Sequence, residues 1–159
     1  MIIKHRSSNI PGVLALLLLL VISSQANAQS VEETNSALIR QAFDDWENGR
    51  SSVFDLLAED AEWTVAGVSP VSAVYPTRQA LVEEAVEPIH AQLATAITPE
   101  VKHIIAQGNN VVVLWEGTAT ARNGAPYNNS YAWHLVMEDG AITRVMAFLD
   151  TWALVELME

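Results

Sequence analysis

The stretch Tyr127 to Thr151, YNNSYAWHLVMEDGAITRVMAFLDT, constrains the fold more than any other part of the chain. Two runs of strand-forming residues flank a tight Glu138-Asp139-Gly140 turn. Each run alternates bulky and small or polar side chains at period two, the signature of a long β-hairpin with one covered face. The period-two region begins earlier, near Glu100. Val101 to Gln107 reads as a strand, Gly108-Asn109-Asn110 as a turn, and Val111 to Ala121 as a second strand. Asn123-Gly124 turns the chain into Tyr127 to Met137, and Ala141 to Leu149 follows as the fourth strand. On the covered face, Val111, Val113, Trp115, Gly117 and Ala119 line up on one strand. Tyr127, Asn129, Tyr131, Trp133, Leu135 and Met137 line up on the next.

The segment before this meander has a period of 3.6. Ser30 and Glu33 form a capping-box pair ahead of Leu38, Ile39, Ala42, Phe43 and Trp46, with Gly49 as the stop signal. Ser51 or Ser52 caps a short second helix, Glu62 to Ala66 reads as a strand, and Gly67 to Pro76 as a loop. Thr77 caps a third helix bearing Leu81, Val82, Ala85, Val86 and Ile89, which Pro88 is expected to kink or break. A short helix from Thr151 to Met158 closes the chain. Helices first and an antiparallel meander after them define the α+β class. Trp115, Tyr131 and Trp133 are expected to point toward the helices, with Trp63 and Val65 facing the same space.

Residues 1–28 read as a secretory signal peptide. Lys4, His5 and Arg6 make a basic start, Val13 to Ile22 is an unbroken apolar run, and Ala26-Asn27-Ala28 supplies the small-x-small cleavage pattern. The run is about half of the roughly 20 residues that span a bilayer, which disfavours an uncleaved anchor. Residues 29–159 then form one domain, exported to the periplasm or the medium of a bacterium and free of the membrane in its mature form. The whole chain carries a net charge of −11, and loss of Lys4 and Arg6 takes it to −13. That balance argues against nucleic acid as a partner, because phosphate binding needs clustered Lys and Arg. With no cysteine, an exported domain holds together by packing alone.

The pattern Ser69-Pro70-Val71-Ser72 with Tyr75, then Gly108 before a valine-rich strand, is followed by Ala121-Arg122-Asn123-Gly124 with Tyr127, Asn129, Tyr131 and Trp133. Asp139-Gly140-x-Ile142 and Phe148-x-Asp150 complete it. Over roughly Ser36 to Leu157 the chain resembles the nuclear transport factor 2-like superfamily, in particular its SnoaL-like branch and the ketosteroid isomerase-like group within it. The resemblance implies a cone: a curved antiparallel sheet with N-terminal helices packed on its concave face, and a pocket inside. It also implies a homodimer. Activities on this fold include steroid isomerisation, polyketide ring closure, dehydration and epoxide hydrolysis, while other members only bind ligands or proteins.

The residues match none of these activities in full. Aligned to the isomerase pattern, Ala42, Val65 and Trp133 stand where the phenol, the base and the second acid are needed. The cyclase pattern finds its acid in Asp150, but its histidine falls near Leu135 or Val136, and His134 points to the other face. Asp150 is the best single catalytic candidate, with Tyr131 as hydrogen-bond donor; the competing role for Asp150 is the N-cap of the last helix. Arg144 and Asp150 supply two members of a hydrolase's water-holding set and lack the third. Glu83, Glu87 and His90 share a helix face as a single acid–histidine spacing without a second copy, and His103 has no ligand partner in sequence, so no metal or other cofactor is called for. Trp46, Trp63, Trp115, Tyr131 and Trp133 are the candidate lining of a pocket for a hydrophobic small molecule. Ile142, Met146 and Phe148 are expected to leave apolar surface on the outer sheet face, where a second copy would cover it.

Overall fold

The computed structural model describes residues 12–159, with side chains from residue 30 onward. The basic start of the expected leader lies outside the described residues. Helix α1 (Gly12–Glu47) is followed by a 3₁₀ turn (Val53–Leu56), β1 (Leu57–Val65), β2 (Val74–Tyr75) and α2 (Arg78–Leu81). A π-helical stretch (Val82–Val86) and α3 (Glu87–Gln92) continue α2. Then come β3 (Thr98–Gln107), β4 (Asn110–Thr120), β5 (Pro126–Glu138), β6 (Ala141–Leu149) and α4 (Thr151–Met158). This is the expected α+β class.

The six strands form one curved, unclosed sheet in the order β2-β1-β6-β5-β4-β3. The meander β3 to β6 is antiparallel throughout. The sheet as a whole is not, because β1 joins β6 in parallel, with Trp63 beside Val145 and Val65 beside Ala147. Strand β1 also starts five residues ahead of the expected Glu62. Its first half contains Glu59 and Asp60, both exposed, which hide the strand from a reading by periodicity.

Residues of α1 with the expected spacing, Ile39, Ala42 and Phe43, are buried against the sheet. Gly49, at φ +66°, ends the helix as its sequence implies, with its N–H bonded to the Trp46 carbonyl. The start is different. The helix runs through Ser30 from Gly12, so Ser30 and Glu33 do not mark a helix N-terminus in this chain. The first described side chains of α1 instead tie it to the β3–β4 turn. The Gly108 N–H donates to Glu32 at 2.8 Å, and the buried Asn35 amide reaches the Gly108 carbonyl at 3.5 Å.

Two local irregularities shape the concave face. Pro88 does not break its helix. It falls in the first turn of α3, just after the π-helical stretch, where its missing N–H is tolerated in a wider helical path. In the β5–β6 hairpin the register slips at Thr143, so that Met137 pairs with Ile142 while Val136 pairs with Arg144. This bulge adds one residue and reverses the facing of the strand's start. Ile142 is therefore fully buried, not on the outer face as expected, whereas Met146 and Phe148 are exposed at 37% and 54%.

Candidate functional site: an aromatic cavity with a buried donor network

The alternation of β4 and β5 sends Trp115, Tyr127, Tyr131 and Trp133 to the concave face, and β1 adds Trp63. Trp46 of α1 and Phe54 of the 3₁₀ turn close over them. Most of the rings meet edge-on or tilted. Trp133 lies 4.7 Å from Trp115 and 4.8 Å from Trp63, both near perpendicular. Such edge-to-face pairs are favoured by the ring quadrupoles. Two pairs stack instead: Trp46 and Trp133 at 6.3 Å and 18°, and, more closely, Trp115 and Tyr131 at 3.8 Å and 7°. Gly117 makes room for the Trp115–Tyr131 stack, since a Cβ there would sit 3.0 Å from the Trp115 ring and 3.1 Å from that of Tyr131.

The rings do not fill the space between sheet and helices. A cavity of about 90 Å³ remains, bordered by all five predicted pocket residues, Trp63, Trp115, Tyr131 and Trp133 from the sheet and Trp46 from α1. Leu81, Ala85, Val86 and Ile89 supply the opposite wall. His90 also lines it. His90 is itself exposed, so it borders the cavity from the solvent side of α3, and its place on the Glu87–His90 helix face did not announce that contact. A second, wider hollow of about 420 Å³ lies alongside and shares Val65, Ala85, Ile89 and Leu154 with the first.

Asp150 is not on the cavity wall. Its carboxylate is exposed and accepts the backbone N–H of Trp152 at 3.0 Å and of Ala153 at 3.3 Å, the N-cap geometry of α4. The structure thus separates the two catalytic candidates, with Tyr131 in the cavity and Asp150 outside it. His134 stands on the outer face, bonded to Asn110 at 2.9 Å, and Arg144 is exposed there too.

What joins the cavity to α4 is Asn129, a buried polar side chain the sequence reading left without a role. Its carboxamide oxygen accepts the Asp150 N–H at 3.0 Å, and its amide nitrogen donates to the Asp150 carbonyl at 2.9 Å. The same nitrogen donates to the Tyr127 hydroxyl at 3.1 Å, which in turn lies 3.0 Å from the Tyr131 hydroxyl. Burial pushes the Tyr131 hydroxyl far above the ordinary phenol range, with charge on Tyr127 and the bond between the two phenols adding to it. Tyr127 is raised as well, again mainly by burial, against the lowering effect of its bonds to Tyr131 and Asn129. Both phenols are therefore donors, not bases. The indole N–H groups of Trp115 and Trp133 are buried with no hydrogen-bond partner within the protein.

A family model for the SnoaL-like domain matches residues 39–145, which carry the 3₁₀ turn, all of β1 to β5 and most of the cavity wall. The chain belongs to the SnoaL-like domain family. Solved structures repeat the fold of this SnoaL-like domain. One is an NTF2-like protein of unknown function from Burkholderia pseudomallei, 21% identical, with 79% of this chain and 97% of that one covered at a TM-score of 0.66. Bal32a, from a soil-derived mobile gene cassette, is 17% identical over 80% of this chain and 98% of its own, at a TM-score of 0.67. TerC, co-crystallised with polyporic acid, is 20% identical over 79% and 98%, at a TM-score of 0.60. At these identities the likeness establishes the fold. No curated protein matches the chain.

Proposed function

We propose that this SnoaL-like domain binds a flat, apolar small molecule in the aromatic cavity. The observation that carries the reading is the wall itself. Four tryptophans and two tyrosines surround a space that a closely packed core would have filled. No carboxylate, lysine or arginine is on that wall, which favours an uncharged ligand, since burying an unpaired charge is costly. A SnoaL-like fold is in keeping with this, as is TerC's having been co-crystallised with polyporic acid.

The test is a tryptophan-fluorescence titration with tetralin, a neutral two-ring hydrocarbon. Saturable quenching is expected, and Ala85→Trp, which fills the cavity, should abolish it. Asp150→Ala should leave tetralin affinity within about twofold. It should also lower stability by about 1 kcal/mol, the usual cost of losing a helix N-cap. A linear, unsaturable response in the unaltered protein would overturn the reading.

A second reading is a cofactor-free acid/base reaction on the same ligand, an isomerisation, cyclisation, dehydration or hydrolysis. What favours it is His90, the one wall side chain that can exchange a proton without forming a buried phenolate. On this reading His90 and Tyr131 carry the chemistry and Asp150 does not. Loss of turnover in His90→Gln with retained binding separates it from simple binding.

Two properties of the whole chain belong with this reading. We infer export with removal of residues 1–28, to be checked by intact mass, which should give a start at Gln29. We also infer self-association through the outer sheet face. Ile105, Val112 and Met146 lie in one cross-strand row there, and Leu114, Ala132 and Phe148 in the next. A monomer in sedimentation at micromolar concentration would overturn it.

A further inference from the structure

The Ser69-Pro70-Val71-Ser72 motif has no part in the aromatic cavity. It builds a tight turn between β1 and β2. The Ser72 N–H donates to the Ser69 carbonyl at 3.0 Å, with Pro70 and Val71 between them. Proline suits the first of these two places because its ring presets φ. The Ser72 hydroxyl donates to the Ala66 carbonyl at 3.2 Å and accepts the Ser69 N–H at 3.1 Å, which ties the turn back to the end of β1. Pro70 and Val71 line the hollow of about 420 Å³, together with Pro88 and Ile89 of α3 and Val155 and Met158 of α4. These walls are anchored separately. Ser72 holds the turn, Asn129 clamps the residue before α4, and Thr77 caps α2 through the Ala80 N–H. Walls fixed in this way make a largely pre-formed site.

The hollow differs from the aromatic cavity in charge. Glu84, from the π-helical stretch, and Glu159, after α4, line it, and no lysine, arginine or histidine does. Glu84 has no ion-pair partner among the described residues. The aromatic residue of the lining is Tyr75, which is buried. Burial, and after it the charge on Glu84, holds the Tyr75 hydroxyl above the ordinary phenol range, so the carboxylate acts at the ring. A carboxylate beside an aromatic ring attracts an ammonium group twice, through its charge and through the ring quadrupole. Glu83, Glu87 and Glu156 are exposed on the same helical segments and extend the negative rim. An anion is repelled both there and by the chain's net charge of −11.

We propose that this hollow is a second binding site, for an amphiphilic cation: an apolar or aryl chain that ends in an ammonium group. The chain lies against the turn, α3 and α4, and the ammonium sits at Glu84 and Tyr75. The site is separate from the aromatic cavity, whose wall carries no carboxylate, and does not require that cavity to hold a ligand.

The experiment compares phenylbutylammonium with phenylbutanol, which share a chain and differ in charge at neutral pH. Carbon-13 in the methionine methyls reports where they bind. Met158 lines the hollow, whereas Met137 is in the core and Met146 on the outer sheet face. Phenylbutylammonium should shift the Met158 signal saturably, leave the other two in place, and bind about fivefold more tightly than phenylbutanol at low salt. That is the fold-change for about 1 kcal/mol, the upper range for a solvent-exposed ion pair. The preference should shrink in 0.5 M salt (about twofold or less), because added ions screen exposed charges. Glu84→Gln, at an exposed position, should reduce it likewise at low salt, with phenylbutanol affinity unchanged. Equal affinities, a preference that survives Glu84→Gln, or saturable shifts at Met146 in place of Met158 overturn the proposal. So does displacement by saturating tetralin, which would make the two hollows one site. Failure of tetralin to bind counts against the aromatic pocket alone and leaves this site standing.

Discussion

Trp133→Ala is expected to cost about 3–5 kcal/mol of stability, the range for truncating a large aromatic in a packed core. Trp133 is 4% exposed and touches the rings of Phe43, Trp46, Phe54, Trp63, Trp115 and Tyr131. It is the ring on which α1, the 3₁₀ turn, β1 and β4 converge. Its removal enlarges a space that is already incompletely filled, and the neighbouring rings are each held by their own helix, turn or strand, which limits collapse into it. Trp133→Phe, which keeps a ring, should cost clearly less. Urea unfolding followed by circular dichroism measures both. A loss below about 1 kcal/mol for the alanine variant would mean that Trp133 lines the cavity without supporting the core.

Asn129→Ala should be the most damaging polar substitution, at about 2–4 kcal/mol. It deletes three hydrogen bonds and leaves the Asp150 N–H and carbonyl without their partners. Each lost bond is worth about 1 kcal/mol, and each backbone group left dry costs more. The damage should be local as well as global. Hydrogen exchange in α4 should speed up more than in β4, because Asn129 is what clamps the residue before α4 to β5. Uniform acceleration across the sheet and α4 would contradict that role. Asn129→Asp does not rescue, since a carboxylate can accept from Asp150 but cannot donate to its carbonyl or to Tyr127.

These positions also mark how far the chain could be read without coordinates. Strands β4, β5 and β6 and their buried faces follow from strict alternation, and Trp115, Tyr131 and Trp133 stand where that alternation puts them. The cap at Thr77 and the helix from Thr151 are local signals and were legible for that reason. What escaped is what depends on distant partners. The parallel union of β1 with β6 leaves no trace in either strand's own periodicity. The bulge at Thr143 turns Ile142 inward through a one-residue slip that no composition announces. Asn129 alternates with bulky neighbours like any inward residue, but its role depends on the Asp150 backbone 21 residues away. His90 belongs to the same class, since an exposed residue of α3 comes to border the cavity only through the packing of α2, the π-helical stretch and α3.

The parallel pairing of β1 and β6 has a consequence for the order in which the chain acquires its structure. Residues 63 and 145 are neighbours in the sheet, and β6 sits between β1 and the whole meander. Strand β1 therefore has no place to dock until the last strand has been made and has paired with β5. The meander can assemble from adjacent hairpins, but the sheet's other half waits on one long loop closure, which is slow. Until then the Trp63 side of the aromatic cluster stays open. A chain truncated anywhere before β6 loses not one strand but the union of two half-sheets, and the cavity between that sheet and the helices never forms. The cavity is thus a late product of folding, assembled only when the C-terminal residues arrive.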